Sequence, residues 1–225
     1  MKYAVIGTGS IGTAYAHVMA DAGLEVVIGD HQPEMAAALA RQIGRESEGG
    51  GIAAAVKIAD LVLLALPYPA TIAALANLGD LAGKVLVDLC NPISSDSQDL
   101  LIGLTDSAAE ALQAAKPRAF VVKAFNTIAA QLVPVPARSS RKLQVFVAAD
   151  NPGARAEVQH LASLLGFLPV NAGGLRNSRL LESIGLLNVQ LGHVLDGGTG
   201  SAPVWTSALP IPRSYSSTRI EVSPP

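Results

Sequence analysis

Residues 1 to 34 read MKYAVIGTGSIGTAYAHVMADAGLEVVIGDHQPE, and this stretch decides the fold. Gly7, Gly9 and Gly12 follow an apolar run directly and form the pattern G-x-G-x-x-G. The pattern lies between a predicted strand and a predicted helix, which is the context in which it binds dinucleotides. The first glycine permits a tight turn, the second lets the backbone approach a pyrophosphate, and the third lets helix and strand pack closely. The stretch therefore predicts the opening βαβ unit of a dinucleotide-binding fold.

The rest of the chain alternates apolar runs with alanine-rich stretches of helical length, which is typical of a parallel sheet covered by helices. Strands are predicted at residues 2–6, 24–28, 61–66, 84–89, 119–123, 144–148 and near 168–170. Helices are predicted at residues 10–22, 33–43, 52–58, 69–78, 107–115, 127–132, 152–165 and 174 to about 195. The glycine-rich segment 44–51 is expected to be a loop or a strand stub. The fold class is α/β, with a Rossmann-like, doubly wound, mostly parallel sheet and a small C-terminal helical portion.

The chain divides into three predicted parts. Residues 1–150 form a dinucleotide-binding Rossmann domain, and residues 151–197 supply a C-terminal strand and helices packed on it. Residues 198–225 are rich in proline and serine and cannot continue a helix. This tail is either weakly packed or an arm laid over a subunit or a site, because Trp205, Leu209 and Ile211 would otherwise leave apolar groups in water.

Composition excludes several classes of function. The 225 residues are 50% hydrophobic with a formal net charge of -2, so we expect a globular protein without a basic face for nucleic acid or anionic membrane. No run approaches the roughly 18 apolar residues of a membrane helix. The four histidines show no metal-ligand spacing, and the single cysteine, Cys90, suits a reducing compartment. We therefore expect a cytoplasmic protein without a metal site.

The glycine loop and the acid after the second predicted strand are candidate cofactor-binding residues. The start of the helix presents free N–H groups to phosphates. The loop residues expected there are Gly7, Thr8, Gly9, Ser10, Ile11 and Gly12. Asp30 follows Gly12 by 18 residues, where an acid accepts both hydrogen bonds of the adenosine ribose and repels a 2′-phosphate. Asp30 therefore favours NAD over NADP, although a protonated His31 would partly offset the repulsion; alternatively, Asp30 caps the helix that begins near Pro33.

Three later strand ends are expected beside the nicotinamide, because ligands of open α/β sheets bind outside the carboxyl ends of the strands. The residues at these ends are Leu66, Pro67, Tyr68, Asn91, Asn126 and Thr127. Each end can equally be a turn that proline or asparagine stiffens.

No proton donor for a ketone or imine substrate is evident in the sequence, and no catalytic residue is assigned. The chain has no Tyr-x-x-x-Lys pattern and no lysine after Lys142. Nothing basic is adjacent to Cys90 to lower its pKa. Hydride transfer to a second redox cofactor does not need such a donor, since the protein has only to align the two reacting faces.

The chain also resembles the NADP-dependent oxidoreductases of the deazaflavin coenzyme F-420 and the related reductase domains of six-transmembrane metalloreductases. The resemblance runs over residues 1 to about 195 and rests on AVIGTGSIGTAYA, VLLALPYPA, GKVLVDLCNP, VVKAFNTIAA and, most specifically, NAGGLRNSRLLESIGLLNVQLG. It implies a Rossmann domain, a compact helical C-terminal portion, a homodimer, and hydride transfer between NADP and the deazaflavin. It also implies that residues 7–11 hold the pyrophosphate, that Pro67 and Tyr68 border the nicotinamide, and that residues 126–127 approach it. Where the family has a Ser-Arg pair for the 2′-phosphate, this chain has Asp30-His31.

The leading hypothesis is an NAD(P)-dependent oxidoreductase that positions nicotinamide against a second, small redox acceptor. One alternative is a reductase of a small carbonyl or imine, with Tyr68 or Asn126 assisting. Another is a non-catalytic dinucleotide-binding redox sensor. Arg179 and Glu182, three residues apart on one predicted helix, fit either a surface ion pair or a substrate contact.

Overall fold

A computed structural model describes residues 1–102, 105–138 and 142–206. Its main sheet has six strands, all parallel, in the order β3-β2-β1-β4-β5-β6. The strands are β1 (Tyr3–Ile6), β2 (Val26–Asp30), β3 (Glu48–Gly51), β4 (Leu61–Leu64), β5 (Val85–Asp88) and β6 (Phe120–Lys123). This is the strand order of a doubly wound dinucleotide-binding fold, so the predicted fold class is confirmed.

Helices cover both faces of the sheet. The α-helices of the described residues are α1 (Ser10–Asp21), α2 (Pro33–Ile43), α3 (Ile52–Ile58), α4 (Tyr68–Ala76), α5 (Ala108–Ala115), α6 (Pro152–Leu164) and α7 (Ser178–Val189). A π-helical turn, Gln190–Val194, continues α7 directly. Buried apolar side chains form one cluster on each face of the sheet, which explains why β1, β4 and β5 are buried at every position.

The segment expected to be a loop or stub contains a full edge strand, β3. Its sequence, EGGG, has low strand propensity, but its backbone pairs with β2 in parallel register. The glycines permit this because a Cβ on Gly49 would lie 2.1 Å from the Ala36 carbonyl oxygen of α2. Close packing against α2 therefore outweighs propensity here. The helix predicted at 127–132 is also shorter, a 3₁₀ turn at Ala130–Leu132.

Beyond β6, two strands form a small parallel sheet. They are β7 (Gln144–Val147) and β8 (Leu168–Asn171), and an antiparallel bridge between Lys123 and Ala148 connects β7 to the end of β6. Helix α6 joins them; the Asn151 side chain caps it by accepting from the Ala154 N–H at 2.9 Å, and Pro152 occupies its first turn. The boundary predicted at residue 150 thus falls between two paired strands, and the division into domains stays a prediction.

Candidate functional site

The glycine loop lies at the carboxyl end of β1 and is shaped by contacts that only glycine allows. Gly7 has φ +108°, and a Cβ there would lie 2.6 Å from the Ala65 carbonyl oxygen. A Cβ on Gly12 would lie 1.9 Å from the Gly7 carbonyl oxygen. No atom of the described residues comes within 4 Å of a Cβ built on Gly9. Two glycines are therefore required by packing, whereas Gly9 keeps space open for a ligand.

The start of α1 can receive a pyrophosphate. Gly9 is the N-cap residue, and no side chain of the described residues accepts a hydrogen bond at this end. The first N–H groups of a helix have no partner within the helix, and they carry the positive end of its dipole. Gly9, Ser10 and Ile11 line a large cavity. The residues present therefore fit a dinucleotide phosphate.

Asp30, at the end of β2, is buried and points back into the glycine loop. Its Oδ2 accepts from the Thr8 N–H at 2.9 Å and from the Thr8 hydroxyl at 2.8 Å. Its Oδ1 accepts from the Gln32 N–H at 3.0 Å and lies 2.7 Å from His31 Nδ1. Burial alone would raise the pKa of Asp30, but the hydrogen bonds from Gln32 and Thr8 outweigh it and hold the pKa below its ordinary value. The carboxylate is therefore ionised at neutral pH.

The large cavity has a volume of about 660 Å³ and lies over the carboxyl ends of β1, β4, β5 and β6. A second cavity, of about 540 Å³, lies beside β2 and is lined mostly by apolar residues, some of them from α3 and α4. Leu66 lines both cavities. The two spaces flank the glycine loop as the two halves of a dinucleotide would.

The structure brings most of the predicted site residues to these cavities. The large cavity is lined by Gly9, Ser10, Ile11, Leu66, Pro67, Asn91, Asn126 and Thr127, and the second by Asp30, His31 and Leu66. Gly7, Thr8 and Gly12 shape the loop from behind without lining either space. Tyr68, the first residue of α4, also lines neither cavity.

A pair of asparagines joins two strand ends in the large cavity. Asn126 Nδ2 donates to Asn91 Oδ1 at 2.8 Å, and Asn91 Nδ2 donates back to the Asn126 carbonyl oxygen at 2.8 Å. Asn126 Nδ2 also donates to the Leu181 carbonyl oxygen at 2.8 Å, which ties the pair to α7. Gly185 of α7 packs on the pair so closely that a Cβ would lie 2.2 Å from Asn91 Oδ1. The preceding residue, Phe125, is buried with φ +65°, and such strain in a bulky residue is typical of a functional site.

A buried ion cluster lies beneath this wall of the cavity. Lys123 is completely buried, and its ammonium donates to Asp88 and to Glu182 at 2.8 Å each and to the Cys90 carbonyl oxygen at 2.5 Å. Burial opposes the charge on Lys123, but the two carboxylates and the neighbouring Cys90 outweigh it and raise its pKa above its ordinary value. The second carboxylate oxygen of Glu182 accepts from the Ala108 N–H at the start of α5. The cluster therefore connects β5, β6 and α5 to α7.

Arg179 and Glu182 do not form the predicted surface ion pair with each other, while a substrate contact stays a prediction. Arg179 forms a bidentate pair with Glu110 of α5, with both N–O distances 2.7 Å, while Glu182 points inward to Lys123. Side chains three residues apart on a helix can diverge when one of them meets a buried partner. Sequence reasoning missed Lys123 because a lysine at the end of a buried strand has no recognisable pattern.

The last helical turn and the start of the tail form the outer wall of the large cavity. Sequence analysis did not predict that His193 would lie at this cavity. His193, Thr199 and Ser201 all line the cavity. Two hydrogen bonds between Gln144 and the backbone of Trp205, of 2.9 and 2.6 Å, fix the described end of the tail. The arm interpretation thus suits residues 198–206, although Trp205 itself is exposed; Leu209 and Ile211 lie outside the described residues.

The lining of the large cavity also includes a thiol, that of Cys90. Burial and the neighbouring Asp88 carboxylate hold the pKa of the Cys90 thiol well above its usual range, so it is a poor nucleophile. Within the described ranges, no cluster of three metal-ligating side chains occurs. In the same ranges, every helix is too short or too polar to cross a membrane.

Comparisons with known proteins agree on one family. The family model described as NADP oxidoreductase, coenzyme F420-dependent, matches residues 2–92. The F420-dependent NADP reductase of Methanothermobacter thermautotrophicus is 33% identical over 207 residues, which cover 85% of this chain and 89% of that protein. Metalloreductase STEAP3 of Rattus norvegicus is 30% identical over 189 residues, or 82% of this chain but only 36% of that longer protein.

The fold comparison agrees as well. The crystal structure of a putative F420-dependent NADP-reductase from Arthrobacter sp. FB24 superposes with a TM-score of 0.78 and 33% identity, covering 87% of this chain and 95% of that one. The chain therefore belongs to the family of coenzyme F420-dependent NADP oxidoreductases, and it is an oxidoreductase enzyme with a nicotinamide dinucleotide as its cofactor.

Proposed function

We propose that the protein transfers hydride between a nicotinamide dinucleotide and a deazaflavin coenzyme. The observation that carries the proposal is the uncharged wall of the 660 Å³ cavity at the uncapped start of α1. Hydride transfer between two carbon centres requires alignment and exclusion of water, and these walls can supply both. The Methanothermobacter relative is named an F420-dependent NADP reductase, which supports F420 as the second redox partner.

The nicotinamide dinucleotide is proposed to lie across the glycine loop. The loop residues Gly9, Ser10 and Ile11 would bind the pyrophosphate with their N–H groups, while Gly7, Thr8 and Gly12 hold the loop's shape. Leu66, Pro67, Asn91, Asn126 and Thr127 would surround the nicotinamide end. The adenosine would lie in the apolar second cavity beside Asp30 and His31. The role of Tyr68 at the nicotinamide stays a prediction.

The test mixes the purified protein with oxidised deazaflavin and either NADPH or NADH, and follows the loss of deazaflavin absorbance. We expect turnover with at least one of the two nucleotides. The matched control is Gly9→Val, because its Cβ meets no atom of the described residues within 4 Å, while its side chain would occupy the space proposed for the pyrophosphate. A wild-type protein that binds nucleotide but reduces no deazaflavin would contradict the proposal.

A second candidate function, reduction of a small carbonyl or imine, is favoured by the position of His193 on the cavity wall. An imidazole is a suitable proton donor beside a nicotinamide. Turnover of a cyclic imine that is lost in His193→Gln, while deazaflavin is not reduced, would favour this function. Asn126→Ala should then also lower the rate, since Asn126 was predicted to assist.

A homodimer is part of the proposal. Large apolar side chains are exposed along one stripe of α7 and the following turn, and the stripe consists of Leu180, Leu187, Leu191, Val194 and Leu195. An apolar stripe of this length on a helix usually packs against another helix. Light scattering should show a dimer that Leu187→Glu dissociates, whereas Leu101→Glu, at an exposed site elsewhere, should leave it intact. A cytoplasmic location is also proposed, because a single cysteine suits a reducing compartment.

A further inference from the structure

The acid at the end of β2 already accepts hydrogen bonds on both of its oxygens in this structure. An ionised carboxylate offers about four lone-pair positions. Asp30 accepts three hydrogen bonds, from the Thr8 N–H, the Thr8 hydroxyl and the Gln32 N–H, at 2.8 to 3.0 Å, and His31 Nδ1 lies 2.7 Å from its Oδ1. A ribose that took two bonds from this carboxylate would have to displace donors that are already in place.

Thr8 is held from both sides, which makes the contact with Asp30 a structural part of the glycine loop. While Asp30 accepts from its N–H and hydroxyl, the Thr8 carbonyl oxygen accepts from the Thr13 hydroxyl at 3.0 Å. The Gly7 N–H donates to the Gly29 carbonyl oxygen at 2.8 Å on the β2 side. The loop is thus fastened to β2 immediately before the residues whose N–H groups face the cavity.

We propose that Asp30 is a positioning residue that holds the phosphate-binding loop in shape through Thr8, and that it does not select the nucleotide by binding the ribose. Charge-assisted hydrogen bonds are about twice as strong as neutral ones, so the buried carboxylate is suited to this role. The pKa of Asp30 lies below its ordinary value, so the contact persists over the whole neutral range.

A consequence concerns the choice between NAD and NADP. Because the carboxylate is already engaged with the loop, its presence alone does not indicate a ribose contact and so does not decide between NAD and NADP. The group beside it that remains available is His31, whose side chain is 73% exposed and lines the second cavity. This inference rests on the proposed placement of the dinucleotide but not on any electron acceptor.

The decisive probe is inorganic pyrophosphate, which has no ribose. Its affinity is measured by competition against NADPH in a fluorescence titration, for the wild type and for Asp30→Asn. We expect the substitution to weaken pyrophosphate, NADH and NADPH by similar factors, each roughly tenfold, which corresponds to the loss of about one charged hydrogen bond. Unchanged pyrophosphate affinity with selective weakening of NADH, or tighter NADPH binding, would overturn the proposal and restore Asp30 as a ribose acceptor.

A second pair of variants keeps the test decisive if Asp30→Asn fails to fold. Thr8→Val removes the hydroxyl donor with little change in shape, and Thr8→Ser keeps it. In nucleotide-free protein we expect the hydrogen-bonded amide hydrogens of Gly7 and Thr8 to exchange roughly tenfold faster in Thr8→Val and at the wild-type rate in Thr8→Ser. Equal exchange in all three proteins would overturn the proposal. None of these measurements uses turnover, so a protein that fails to reduce deazaflavin can still confirm the role of Asp30.

Discussion

Replacing Gly185 of α7 by alanine should displace the Asn91–Asn126 pair, which lines the proposed nicotinamide end of the site. The new Cβ would lie 2.2 to 2.6 Å from three side-chain atoms of Asn91, so either this side chain or α7 has to move. If Asn91 moves, its two hydrogen bonds with Asn126 are lost, at about 0.5 to 1.5 kcal/mol each. Overpacking adds about 1 to 3 kcal/mol, while alanine returns about 1 kcal/mol of helix propensity. The expected net loss in the free energy of unfolding is about 1 to 5 kcal/mol.

Urea denaturation measures the loss of stability in Gly185→Ala, and single-turnover kinetics measure its rate of hydride transfer. We expect the rate of hydride transfer to fall by roughly tenfold, because Asn126 loses its position, while NADPH affinity changes less because the phosphate loop is untouched. Gly79→Ala is the control, since no atom of the described residues lies within 4 Å of its added Cβ, and it should change stability by less than about 0.5 kcal/mol. A Gly185→Ala protein with wild-type stability and rate would refute the reasoning that α7 holds the asparagine pair in place.

Three further substitutions test other parts of the site. Lys123→Met should cost about 3 to 5 kcal/mol in urea denaturation, because it leaves two buried carboxylates unpaired, whereas the exposed Lys57→Met should be neutral. Cys90→Ser should retain hydride transfer within about twofold, and the native thiol should resist thiol reagents at pH 8, because its raised pKa keeps it protonated. Gly9→Val should keep the wild-type melting temperature and lose at least about tenfold in NADPH affinity by calorimetry, whereas Gly12→Ala should unfold at a lower temperature. Rapid reaction of Cys90, or wild-type NADPH affinity in Gly9→Val, would contradict the account.

The fold could be predicted because its signals are local and repeated. Apolar runs followed by helical stretches give the strand and helix order, and the spacing of Gly7, Gly9 and Gly12 identifies the first crossover. Strand β3 was missed because its sequence is mostly glycine, and it exists only through pairing with β2 and contact with α2. Tertiary packing therefore determines that this segment is a strand, and the strand propensity of single residues does not include such packing.

Only the site residues that directly follow predicted strands could be predicted from the sequence. Asn91 and Asn126 follow buried strands, so their approach to one cavity could be inferred. Their hydrogen bonds to each other and the contact with Gly185 join residues far apart in sequence, which no spacing indicates. His193 reaches the cavity because α7 continues into a π-helical turn, and that irregular turn has no pattern that sequence periodicity detects.

The most direct test of the central claim follows a deuterium atom. NADPH labelled at the nicotinamide C4 position that donates hydride is mixed with the protein and oxidised deazaflavin, and the products are analysed by mass spectrometry. Direct transfer between two aligned rings predicts that the reduced deazaflavin carries the deuterium, with none released to water. Reduction without label in the deazaflavin, or no reduction despite nucleotide binding at the glycine loop, would contradict the account.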